Sequence, residues 1–93
     1  EKNNFKLNEK NEYFADNIKG IFSQDYKERF IAEYRFLKER HSRLVKTLYD
    51  WELGKLNFVP TCPKEVLETQ ERSMKSYMEC LEERADIENI KLD

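Results

Sequence analysis

The sequence is poor in the residues that build turns, staples and metal sites. Its 93 residues include two glycines, two prolines, two cysteines and one histidine. So few glycines leave no room for a phosphate-cradling loop or a dinucleotide turn, and neither GxxxxGK nor HExxH occurs. Two cysteines without a CxxC spacing make neither a disulfide framework nor a zinc site. Cys62 at the start of a helix and Cys80 along it fall more than roughly 20 Å apart at about 1.5 Å per residue, so they read as reduced thiols. No apolar run reaches the roughly 18 residues of a membrane span, and no signal-type stretch opens the sequence. The expectation is a cytoplasmic protein with no membrane partner. His41 has no second imidazole to share a metal with, and no Ser, Cys or acid is arranged around it in sequence. The acidic group Glu79, Glu82, Glu83 and Asp86 lacks the Glu-x-x-His pair of a di-metal bundle. These absences argue against an enzyme, and no cofactor is expected.

Helical periodicity is what the sequence has instead. Phe30, Tyr34, Leu37, His41, Leu44, Leu48 and Trp51 follow one another at alternating spacings of four and three, the rhythm of a heptad seam. After a stretch with Gly54, Pro60 and Pro63, a second series repeats it: Leu67, Gln70, Met74, Tyr77, Leu81 and Arg84. The fold class is therefore all-α, an antiparallel two-helix hairpin over residues 23–93 with a short helix in the 1–22 segment, one domain overall. Folding the series together sets Trp51 near Leu67, Leu48 near Gln70, Leu44 near Met74, His41 near Tyr77, Leu37 near Leu81 and Tyr34 near Arg84. Two helices cannot enclose a core, and at 100° per residue Ile31, Val45 and Tyr49 fall to one side of the first seam and Phe36 to the other. The first helix can cover one flank and another copy of the chain the rest, so a homo-oligomeric bundle is expected.

Boundary signals agree with this layout. Asn8 can cap a first helix holding Tyr13, Phe14 and Ile18, with Gly20 as its left-handed end. Ser23 or Asp25 can start the long helix, the latter with Glu28 in a capping box. Gly54 fits its stop, and Pro63 the first turn of the last helix. The pairs Glu39 with Arg43, Glu68 with Arg72 and Glu71 with Lys75 stand in the favourable i,i+4 order.

The net charge of −2 hides an uneven distribution. Residues 27–46 hold seven basic side chains against three acidic ones, and residues 79–93 hold six acidic against two basic. In an antiparallel hairpin the two stretches neutralise one another, which disfavours a nucleic-acid surface. Gln70, Tyr77 and Arg84, seven apart, stack along one edge of the last helix. An aromatic ring beside a guanidinium suits a base and a phosphate; alternatively Arg84 pairs with Glu33 or Glu88, and Gln70 and Tyr77 set helix register.

Residues 26–90, with LETQERSMKSYMECLEER matching L-x-x-Q-x-x-x-M-x-x-Y-x-x-x-L-x-x-R at each named position, resemble a family of small helical-hairpin proteins first noted in crAss-like phages. Hairpins of this shape are also similar to phage sponges that capture the cyclic nucleotides of CBASS or Thoeris immunity between protomers, without cleaving them. The resemblance implies a phage anti-defence protein that sequesters a cyclic nucleotide. Arg29, Arg35 and Lys38 would then meet phosphates, Tyr34, Tyr77 and Tyr13 or Phe14 would stack bases, and Arg84 and Gln70 would complete the pocket. Two other readings stand beside it. One is a protein-interaction module gripping a helix through Ile31, Phe36 and Tyr49; the other is a nucleic-acid accessory protein, against which the overall acidity weighs.

Overall fold

A computed structural model describes residues 15–92, so Asn8, Tyr13 and Phe14 lie outside the described residues. Asp25, extended at φ −80° and ψ 119°, accepts a 2.8 Å hydrogen bond from the Lys27 amide and so caps a helix start. We number the helices in chain order: α1 covers residues 15–21, α2 Tyr26–Glu52 and α3 Lys64–Glu88. There is no strand among the described residues, and the class is all-α. The capping box takes a different form from the expected one. Glu28 receives the Ser23 hydroxyl at 2.5 Å, and Ser23 Oγ accepts from the Asp25 amide at 3.0 Å.

Gly54 ends α2 as its position predicts. It takes φ +68°, its amide bonds the Trp51 carbonyl at 3.0 Å, and the Lys55 amide bonds Asp50 at 2.8 Å. This is the paired closure of a Schellman turn, which occupies the last carbonyls of the helix. Asn89 closes α3 the same way at φ 58°, with the Ile90 amide 2.8 Å from the Ala85 carbonyl. The turn drives Ile90 into the core. Pro63 is the cap of α3 and not part of its first turn, because its backbone is still extended at ψ 142° while its carbonyl accepts from Val66 at 3.1 Å.

Gly20 has a different task from the one expected. It lies inside α1, where a Cβ would stand 2.7 Å from the Cβ of Ala32. The missing side chain lets α1 press against the back of α2 at the buried Ala32.

The seam of α2 follows the predicted series, each member being buried or half-buried. The seam of α3 is rotated by one residue on alternate turns. Leu67, Met74 and Leu81 belong to it as expected, but their companions are Glu71, Met78 and Ala85, while Gln70, Tyr77 and Arg84 are exposed. Apolar Met78 and small Ala85 enter the interface with no charge to desolvate, whereas Arg84 would carry one in. Pairing shifts along the helices as a result. His41 meets Glu71 at 2.9 Å and not Tyr77, Tyr34 meets Glu82 at 2.5 Å and not Arg84, and Arg84 reaches Tyr26 at 2.7 Å. The best-buried cluster, Phe30, Tyr34, Leu81, Ala85 and Ile90, sits where the end of α3 returns beside the start of α2. At the other end Lys64 Nζ ties to Glu52 at 2.5 Å and lies 5.8 Å from the Trp51 ring. That hydrogen bond raises the pKa of Lys64 and lowers that of Glu52.

Candidate functional site

The one-residue rotation of the α3 seam gives the hairpin two unlike edges. Gln70, Tyr77 and Arg84 move together to one flank of α3, where Tyr77 is 45% exposed. The Arg84 guanidinium identifies the part of α2 that shares this edge. It donates to the Tyr26 hydroxyl at 2.7 Å, stands 4.8 Å from the Phe30 ring centroid and lies 3.7 Å from Glu88. The Tyr26 contact, ahead of Glu88 and Glu33, raises the pKa of Arg84 further. At 100° per residue Glu33, Phe36, Arg40 and Arg43 continue along the Tyr26 flank, so this edge collects arginines beside an amide and two rings. The other flank of α3 carries Glu68, Glu79 and Glu82 around Lys75.

The residues proposed from sequence divide between these edges. Gln70, Tyr77 and Arg84 occupy the first one. Arg29 falls on the same side by helical phase and donates to the Ser23 carbonyl at 2.8 Å. Lys38 is exposed on the opposite flank. Arg35 lines a cleft of about 340 Å³ between α1 and α2, with Asn17, Lys19 and Glu28. Tyr34 is shut into the core at 6% exposure, and only its hydroxyl reaches outward, to Glu82. Burial first, then that hydrogen bond, lifts its pKa from 10.0 to about 12. Tyr13 lies outside the described residues.

Arg40 and Arg43 belong to the Gln70–Tyr77 edge and were not among the residues proposed from sequence. Their signal was present, because they fall three and seven residues after Leu37 and Phe36 on one side of a legible seam, but using it required the correct frame for α3. Both cysteines are free, Cys80 exposed and Cys62 half-buried. Among the described residues no group of three His, Cys, Asp or Glu is placed to hold a metal ion, and no helix is long and apolar enough to cross a membrane.

The hairpin and its two unlike edges define a small all-α protein with a polar, aromatic and cationic face on one side of the helix pair. The chain belongs to the Sequestin family, whose profile matches residues 24–87, from just before the cap of α2 to the end of α3. That family name points to a sequestering role. No curated protein and no solved structure matches the chain.

Proposed function

We propose that this protein is a phage-encoded anti-defence factor that binds and sequesters a nucleotide-derived immune signal, a cyclic nucleotide, without cleaving it. The observation that carries the reading is the exposure of Gln70 and Tyr77 on one edge with Arg84, off the seam where packing would otherwise account for them. Tyr77 offers a ring for a base, and Arg40 and Arg29 offer forked donors for phosphate. Arg84, already held by Tyr26 and Glu88, anchors the edge and keeps a charge beside it. Tyr34, buried in the core with its hydroxyl on Glu82, does not stack on the ligand. Copies of the chain assemble so that a second surface closes over the ligand, which spends little entropy because the walls are rigid helices.

Calorimetry with a panel of cyclic di- and trinucleotides tests this. The expected result is sub-micromolar binding by at least one member, recovery of that ligand intact by chromatography, and weakening of about tenfold or more in Tyr77→Ala and Arg40→Glu. Failure of every member to bind would remove the reading. A protein-interaction module is favoured by a different observation, the exposed Val45 and Tyr49 beside a cleft lined by His41, Ser42 and Lys46. Stoichiometric retention of one protein, abolished by Tyr49→Glu, would support that alternative.

A further inference from the structure

Between the last turns of α2 and the connection that follows lies a groove of about 470 Å³, lined among others by Arg43, Lys46, Thr47, Lys55, Asn57 and Phe58. Its volume is within the roughly 300–1,000 Å³ of small-molecule sites. Three cations line it against one acid, Asp50, and that acid is held 2.9 Å from Lys46 Nζ. Arg43 takes its own carboxylate partner, Glu39, from outside the groove at 3.0 Å. Lys55 has no ion-pair partner among the described residues, and its amide is fixed on the Asp50 carbonyl, so the side chain leaves from a pinned backbone. The end of α2 does not present a bare row of carbonyls here, because Gly54 and Lys55 already occupy those of Trp51 and Asp50. Phe58 is 55% exposed, an open ring in an otherwise cationic setting. By helical phase Arg43 and Thr47 continue the line of Glu33, Phe36 and Arg40, which places the groove at the turn end of the edge that carries Gln70 and Tyr77.

We infer that this groove is a nucleotide subsite, with Arg43, Lys46 and Lys55 receiving a phosphate and Phe58 stacking on the base. The inference rests on the reading that the chain binds a nucleotide, and it names where one phosphate and its neighbouring base of that ligand sit. Thr47 and Asn57 add a hydroxyl and an amide donor for phosphate or ribose oxygens. Lys55 and Phe58 lie in the connection, outside both long helices, so their replacement leaves the hairpin seam intact.

The test is a two-dimensional amide NMR titration of the full chain with adenosine 5′-monophosphate and with the cyclic nucleotide panel, repeated on Lys55→Glu and Phe58→Ala, with helicity checked by circular dichroism. Amide shifts should concentrate at Arg43, Thr47, Lys55 and Phe58. Lys55→Glu should weaken adenosine monophosphate about tenfold or more, and Phe58→Ala at least about fivefold. Shifts confined to the Tyr77 region, with Lys55→Glu binding at wild-type strength, would overturn the groove and leave sequestration standing. Groove shifts with the monophosphate but none with any cyclic nucleotide would do the reverse. Silence toward the monophosphate and the whole panel would overturn both.

Discussion

Tyr34 links the core to the charged surface, with its ring among Phe30, Leu81, Ala85 and Ile90 and its hydroxyl on Glu82. The folded chain keeps its proton up to about pH 12, whereas an unfolded tyrosine gives it up near pH 10. A folded-state pKa raised in this way contributes stability that is complete below pH 10 and is lost as the pH climbs toward 12. We expect a loss on the order of 2 kcal/mol across that window. In Tyr34→Phe this slope should vanish, while stability at neutral pH falls by about 1 kcal/mol for the lost hydrogen bond; urea midpoints measured at neutral pH and between pH 10 and 12 check both. Gly20 yields a second prediction. An alanine there places a methyl 2.7 Å from that of Ala32 and should cost about 1–3 kcal/mol in the docking of α1. Adding Ala32→Gly should restore the docking, less the roughly 0.5–1 kcal/mol of a glycine inside α2. Sequence showed that a glycine was needed near residue 20, but a helix end and a close helix crossing both require one, and only the position of α2 decides between them.

At the scale of the helices, α2 was legible because charged residues flank its apolar line, as in Lys38, Glu39 and Arg40, and leave one frame for the seam. In α3 the line through Leu67, Met74 and Leu81 is equally clear, but two companion lines fit it, one through Gln70, Tyr77 and Arg84 and one through Glu71, Met78 and Ala85. Heptad spacing alone fits both, and the desolvation of Arg84 and the small volume of Ala85 favour the second. The two frames give opposite mutational outcomes. Met78→Lys should cost about 2 kcal/mol or more, since it drives a cation into the interface, and Leu81→Ala about 2–5 kcal/mol. Tyr77→Lys should stay within about 0.5 kcal/mol. Denaturant midpoints that reversed the order of the two lysine variants would return the seam to the other frame.

The whole molecule separates its charges more sharply than the antiparallel layout alone requires. The described contacts between the start of α2 and the end of α3 are largely hydroxyl to carboxylate, Tyr26 to Glu88 at 3.3 Å and Tyr34 to Glu82 at 2.5 Å. Among the described residues several basic side chains of α2 therefore make no ion pair with α3, and helical phase sorts the cations of α2: Arg40 and Arg43 to the Tyr77 edge, Arg35 and Lys38 away from it. The α3 half of the candidate site could be read from a motif, and of the α2 cations that join it Arg29 was among the residues proposed from sequence while Arg40 and Arg43 were not, since the motif has no register with α2 until the helices are packed. Val45 and Tyr49, the latter 63% exposed, continue the face of α2 that α1 covers at Ala32 and Arg35, and the described residues of α1 line only the cleft at Ala32 and Arg35. We expect a second copy to cover this strip. Sedimentation should then give a mass that is a multiple of the single chain, and the melting temperature should rise with protein concentration, because association stabilises the folded state by mass action. The double variant Val45→Lys with Tyr49→Glu should sediment as one chain at unchanged helicity. A wild-type chain that stays single over the full concentration range would overturn this assembly, and cyclic-nucleotide binding would then have to come from the Tyr77 edge and the groove at Phe58 of one chain.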